Sequence, residues 1–186
     1  MTAHFLAAML APRSIALIGA SERPGALGRL LYENMLRARF NGALYPVNPR
    51  HVSVFGNHCY ARLKDLPAPP DLVVIATPPG AVPGLIHDAG LAGIRNVMVL
   101  PGGFDESNEE GRLRATALSM ERDRFGMRLI GPESFGIMRP HCGLNATLAR
   151  DCVRPGSLAL VSQSGAVCSA ILDWAAATEI AFSSVT

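Results

Sequence analysis

The chain has 186 residues, enough for one full α/β domain and a remainder, with 49% hydrophobic residues and only 17% charged. A net charge of +2 with no Lys/Arg run argues against a nucleic-acid surface, and a single Lys among the 17 basic residues leaves mostly guanidinium, which suits phosphate. No apolar run approaches the ~20 residues of a membrane span, no basic leader opens the chain, and the four cysteines lack the C-x-x-C spacing of a zinc site or redox pair. These features predict a soluble, cytoplasmic protein with reduced thiols.

In chain order, residues 1–10 read as a short leading helix stopped by Pro12. Residues 14–19 form an apolar strand ending at Gly19, followed by a turn-rich loop to Gly28. Leu27, Leu30, Leu31 and Met35 then recur at helical spacing. Asn41 and Gly42 separate that helix from a strand over 43–47, which closes at Asn48-Pro49. A short helix is predicted around 60–66, and a third strand over 71–76. Next come a helix over 80–92, with Val82, Leu85, Ile86 and Ala89 on one face, and a strand over 96–100. A helix over 107–125 opens with Glu109 and Glu110 and carries arginines further along, as the helix dipole favours. A fifth strand over 126–130 ends at Gly131-Pro132.

Strands and helices alternating five times, joined by connections too long for hairpins, predict a Rossmann-like, doubly wound parallel sheet over residues 1–140. Residues 133–155 look less regular, with 141–155 as a linker. A strand over 156–161, a turn at 162–165, a helix over 166–177 and a strand from 180 then form the first βα unit of a second α/β domain, truncated where the chain stops. The alternative is that this unit extends the first sheet. Alone it has open edges and no core of its own, which makes self-association through that edge an expectation.

In open α/β sheets a ligand sits beyond the carboxyl ends of the strands, where the first loop offers backbone N–H groups to phosphate. Gly19, Gly25 and Gly28 give that loop its freedom and Ser21 adds a hydroxyl, although the spacing matches neither G-x-G-x-x-G nor the G-x-x-x-x-G-K phosphate loop. A glycine-rich turn without a ligand is the competing reading. The second strand closes with Val47, Asn48, Pro49, Arg50 and His51, where an NAD site would carry an acid. This pattern fits a ribose bearing phosphate, either the 2′-phosphate of NADP or the 3′-phosphate of coenzyme A; Arg50 is either a ligand or an ordinary solvated residue. There is no G-x-S-x-G elbow, and His4, His51, His58, His87 and His141 show no metal-ligand spacing, so no catalytic residue is assigned and no metal is expected.

Five motifs occur in order: Pro12-Arg-Ser-Ile-Ala-Leu-Ile-Gly-Ala-Ser21, Tyr45-Pro-Val-Asn-Pro49, Asp71-Leu-Val-Val-Ile-Ala-Thr-Pro-Pro79, Ile130-Gly-Pro132 and Ser162-Gln-Ser-Gly165. Together they resemble the N-terminal region of ADP-forming acyl-CoA (acetyl-CoA) synthetases, relatives of the succinyl-CoA synthetase α subunit. Gly143-Leu-Asn-Ala-Thr147 and Ile171-Leu-Asp-Trp174 resemble most the synthetase-like half of bacterial GNAT-type protein lysine acetyltransferases. The resemblance implies a CoA-binding domain followed by a flavodoxin-like one. It implies that Gly19, Ala20, Ser21 and Gly25 meet the phosphates of coenzyme A or acyl-CoA. Val47, Asn48, Pro49 and Arg50 would border the adenosine part, Ala76, Thr77 and Pro78 the nucleotide and pantetheine, and Leu100, Pro101 and Gly102 the pantetheine arm. Ser162, Gln163, Ser164 and Gly165 would form an anion-binding helix start facing a phosphohistidine. That histidine, with ATP, ADP and magnesium, belongs to parts of the parent beyond this chain, which makes the parent's C-terminal domains expected partners and this chain non-catalytic by itself. The family's Gly-Pro-Asn reads Gly131-Pro132-Glu133 here, placing a carboxylate near the expected acyl end. Two other classes remain open: an NADP-binding oxidoreductase domain, and a ligand-free regulatory or interaction module.

Overall fold

The computed structural model describes residues 6–149 and 151–186; residues 1–5, with His4 and half of the expected leading helix, lie outside the described residues. The strands are β1 (Ser14–Ile18), β2 (Ala43–Val47), β3 (Ser53–Val54), β4 (Asn57–His58), β5 (Leu72–Ile75), β6 (Asn96–Val99), β7 (Arg128–Ile130), β8 (Gly136–Arg139), β9 (Leu144–Thr147), β10 (Pro155–Leu160) and β11 (Phe182–Val185). The helices are α1 (Ala7–Leu10), α2 (Leu27–Arg37), α3 (Val82–Leu91), α4 (Glu109–Phe125) and α5 (Gly165–Thr178).

The first sheet is parallel throughout, in the order β2-β1-β5-β6-β7. Its strands are apolar on both faces because helices cover both. Ile15, Leu17, Leu72 and Val74 pack with Leu31, Tyr32 and Met35 of α2. Their neighbours Ala16, Ile18, Val73 and Ile75 point the other way and pack with Val82, Ile86 and Ala89 of α3 and Leu118 of α4. Helix α4 has the signals expected of it: the Asn108 side chain accepts the Gly111 N–H at 2.8 Å, Glu109 and Glu110 fill the first turn, Arg122 and Arg124 the last, and Gly126 closes it with φ 59°.

Two stretches differ from expectation. The helix expected around 60–66 is only a 3-10 turn at Leu63–Asp65. Tyr60 is drawn into a parallel bridge with Val47, and the prolines from Pro67 onward stop any extension. Ahead of it β3 and β4 form a small hairpin.

The stretch 133–155 is not the irregular connection expected, and the linker assigned to 141–155 contains β9. Strands β8 and β9 form a hairpin around a 3-10 turn at Pro140–Cys142 closed by Gly143 at φ 66°. A side chain on Gly143 would overlap the Ala38 and Arg39 carbonyls at the end of α2, so that turn is built without the usual short hairpin signal. β8 pairs antiparallel with β11, which pairs parallel with β10, giving a second sheet in the order β10-β11-β8-β9. The terminal βα unit therefore does not extend the first sheet. Its core is shared with the hairpin: Phe135 and Met138 pack with Cys168, Leu172, Ala175, Phe182 and Val185. Ile137, Leu144 and Ala146 join the core under α2, where the buried Asn34 side chain donates to the Thr147 and Ala149 carbonyls at 3.0 and 2.6 Å. Among the described residues no helix is long and apolar enough to cross a membrane.

Candidate functional site

The chain leaves β1 at Gly19 with φ 91°, a conformation that favours glycine, and the Gly19 N–H donates to the Val47 carbonyl at 2.9 Å. A Cβ on Gly28 would overlap the Gly19 carbonyl, so the first turn of α2 rests directly on the end of β1. Ala26 occupies the N-cap and no side chain caps that helix. The positive end of α2 thus has no side-chain partner, although the Ala26 and Arg29 N–H groups donate to the Arg23 and Ala26 carbonyls at 3.1 Å.

The loop between β1 and α2 is tied on several sides. Asn48, at the end of β2, donates its side-chain amide to the Ala20 carbonyl at 2.8 Å and accepts the Arg50 N–H at 3.0 Å. Ser21 accepts the Arg23 N–H at 3.0 Å, and Arg29 of α2 donates to the Glu22 carbonyl at 2.7 Å. Pro49 and Arg50 are exposed beyond the strand, lining a groove of about 440 Å³ with His51, Cys59 and Tyr60. The Cys59 thiol is pushed up by burial and lies 3.7 Å from the Asn48 carbonyl. It is a neutral packing group there rather than a nucleophile.

The sheet order reverses between β1 and β5, the switch point at which such sheets take ligands. A Cβ on Gly19 would lie 3.0 Å from the Ala76 carbonyl, so the two strand ends nearly touch. Next to Ala76, the Thr77 hydroxyl is buried with no hydrogen-bond partner. An orphaned buried hydroxyl costs about 1–3 kcal/mol, which a bound polar ligand can offset. Pro78 follows on the surface. At the end of β6, Leu100 donates to the Ile75 carbonyl at 3.2 Å, and Pro101 accepts the Glu133 N–H at 3.1 Å. Glu133 has φ 59°, and its carboxylate stands about 3.4–3.6 Å from where a Gly102 Cβ would be.

Gly19, Ala20, Ser21, Gly25, Val47, Asn48, Pro49, Arg50, Ala76, Thr77, Pro78, Leu100, Pro101 and Gly102 thus follow the carboxyl ends of four adjacent strands, β2-β1-β5-β6. Ser162, Gln163, Ser164 and Gly165 stand apart at the start of α5, beside the second sheet. The Ser164 hydroxyl accepts the Val167 N–H at 3.3 Å, so one helix-start donor expected to be free is already capped. Sequence reasoning missed Glu22, whose carboxylate accepts the Phe55 N–H at 2.6 Å, and Phe55 itself at the tip of the β3–β4 hairpin. The one signal for that turn is Gly56, because phenylalanine is not a turn residue.

Comparison with known proteins identifies the families of the two units. Residues 13–140 match a family model described as CoA binding domain, and residues 155–186 one described as succinyl-CoA ligase like flavodoxin domain. An ADP-forming acetate–CoA ligase of Methanocaldococcus jannaschii is 37% identical over 94% of this chain and 24% of its own length. The α subunit of ADP-forming acetate–CoA ligase I of Pyrococcus furiosus is 35% identical over 97% of this chain and 40% of its own length. The structure of a dinucleotide-forming acetyl-coenzyme A synthetase 1 of Ca. Korarchaeum cryptofilum, in complex with phosphate and ADP, superposes with a TM-score of 0.90 and 34% identity, covering 97% of this chain and 39% of that one. The chain spans less than half the length of each of these relatives.

Proposed function

The chain belongs to the CoA-binding-domain family, and on that premise we propose that it binds coenzyme A or an acyl-CoA across the carboxyl ends of β2, β1, β5 and β6. The observation that carries this reading is the cradle at the switch point. Two glycines let the uncapped start of α2 lie on the end of β1, while the orphaned Thr77 hydroxyl waits beside it. The residues present fit the ligand's chemistry. Backbone N–H groups of the loop after Gly19, whose own N–H is held by Val47, and the Ser21 hydroxyl take the diphosphate. Asn48 and Pro49 border the adenosine and Arg50 takes the 3′-phosphate. Thr77, Pro78 and the segment from Leu100 to Gly102 follow the pantetheine arm. The Glu133 carboxylate, next to Gly102, disfavours an anionic acyl group at that end by like-charge repulsion.

In this reading the chain is the CoA-holding part of an ADP-forming acyl-CoA ligase-like protein. On the same reading, ATP, ADP and magnesium fall to parts of such a parent other than this chain. The relatives named above are ligases or synthetases, which favours a ligase parent over the acetyltransferase parent that Gly143–Thr147 and Ile171–Trp174 suggest. The second sheet supports an association surface for the rest of such a parent: Leu158 on its β10 edge, Val161 just after that strand and Trp174 on α5 are 54%, 77% and 57% exposed.

The test is calorimetric titration of coenzyme A into the chain and into the double variant Ser21→Ala, Arg50→Ala. Losing a hydroxyl and a charge-assisted contact should weaken binding about tenfold or more. Unchanged affinity would contradict the phosphate assignment.

A further inference from the structure

Phenylalanine at the tip of the β3–β4 hairpin is costly. Phe55 and Gly56 form the two-residue connection, and both have positive φ, 48° and 76°. Such turns favour Asn-Gly or Asp-Gly, and a bulky side chain at positive φ is a genuine outlier. Strain of this kind persists only where surrounding contacts over-determine it.

Contacts around the Phe55 ring supply that constraint. The Phe55 ring stacks on Tyr32 of α2, with centroids 5.9 Å apart and planes 12° from parallel. The Arg29 guanidinium lies over the same ring, 5.7 Å from its centroid. The Phe55 N–H is accepted by the Glu22 carboxylate at 2.6 Å. Arg29 in turn donates to the Glu22 carbonyl and, from Nε, to the Glu33 carboxylate at 2.9 Å. On the other strand of the hairpin, the Asn57 side chain donates to the Phe55 carbonyl at 3.1 Å, which fixes the tip itself. The hairpin tip therefore grips both the first turns of α2 and Glu22, which lies inside the β1–α2 loop.

We propose that the 53–58 hairpin is a clamp that holds the β1–α2 loop in shape, with Phe55 as its positioning residue acting through Glu22 and Arg29. For its consequence the inference rests on the coenzyme A reading above. A loop already fixed presents its N–H groups to the diphosphate without an ordering cost, so the clamp raises affinity while touching no ligand atom. It also turns the Glu22 carboxylate towards the hairpin and away from the place where phosphates are read.

Phe55→Asn tests this, because asparagine suits the turn better than phenylalanine and replaces the ring with a short amide, keeping the backbone N–H that Glu22 accepts. Hydrogen exchange of the ligand-free variant should rise about tenfold or more in the 20–26 segment, with strand β5 exchange and the thermal midpoint unchanged or improved. Coenzyme A affinity should fall about fivefold, and Phe55→Tyr, which keeps the ring, should restore both readouts. If Phe55→Asn fails to fold, Glu22→Ala should loosen the same segment while Glu22→Gln, which keeps an acceptor oxygen, should not. Wild-type exchange in the 20–26 segment of Phe55→Asn, or of Glu22→Ala where that variant stands in, overturns the clamp. If the wild-type chain binds no coenzyme A, the functional reading falls, but ligand-free exchange still decides the clamp.

Discussion

Burial pushes the Tyr32 phenol up to about 12, with the nearby Cys59 thiol adding to the rise and the Asn57 side chain opposing it. An unfolded tyrosine titrates near 10, so between about pH 10 and 12 the folded chain keeps a proton that the unfolded chain has lost. The stability this proton carries is whole below pH 10 and is lost as pH rises towards 12. Denaturant unfolding across that window should show a decline of up to about 2 kcal/mol that Tyr32→Phe largely removes; equal slopes for the two proteins would contradict it. Legibility at this scale follows local chemistry. Gly19 could be read because a strand end followed by a tight turn asks for glycine, and its φ of 91° bears that out. Glu22 and Phe55 could not. Phenylalanine at positive φ opposes its own propensity, and the ring that justifies it, Tyr32, lies 23 residues earlier in the chain.

Among the elements, those with strong local signals came out as expected: β1, β5 and β6 from their apolar runs, and α4 from its cap, its acidic first turn and its closing glycine. The β8–β9 hairpin gave no such signal. Its turn is a 3-10 segment closed by Gly143, and its pairing partner, β11, lies more than 30 residues further on. Besides apolar packing, Asn34, 1% exposed, ties it to the first unit, its amide bridging the carbonyls of Thr147, at the end of β9, and Ala149. Asn34→Ala removes that bridge and leaves the carbonyls facing a buried gap. It should cost about 1–3 kcal/mol, seen as a lower thermal midpoint together with faster hydrogen exchange in β8 and β9. Wild-type stability in that variant would show that apolar packing alone docks the hairpin.

For the whole molecule, strand and helix alternation revealed the doubly wound sheet, and the proposed site lies at that sheet's switch point. The second sheet was legible only in its βα unit, because a mixed sheet completed by a distant hairpin leaves no periodic trace along the chain. The central claim, that the four strand ends hold coenzyme A with its 3′-phosphate read beyond β2, is tested most directly by thermal unfolding of the chain with coenzyme A, dephospho-coenzyme A and NADP. At ~100 times its dissociation constant a ligand adds about 2.7 kcal/mol, which for this size corresponds to a rise of roughly 5–10 °C. The expected result is that rise with coenzyme A, a clearly smaller one with dephospho-coenzyme A at the same concentration, and none with NADP. A well-folded chain that is indifferent to coenzyme A, or that responds equally to NADP, would contradict the account.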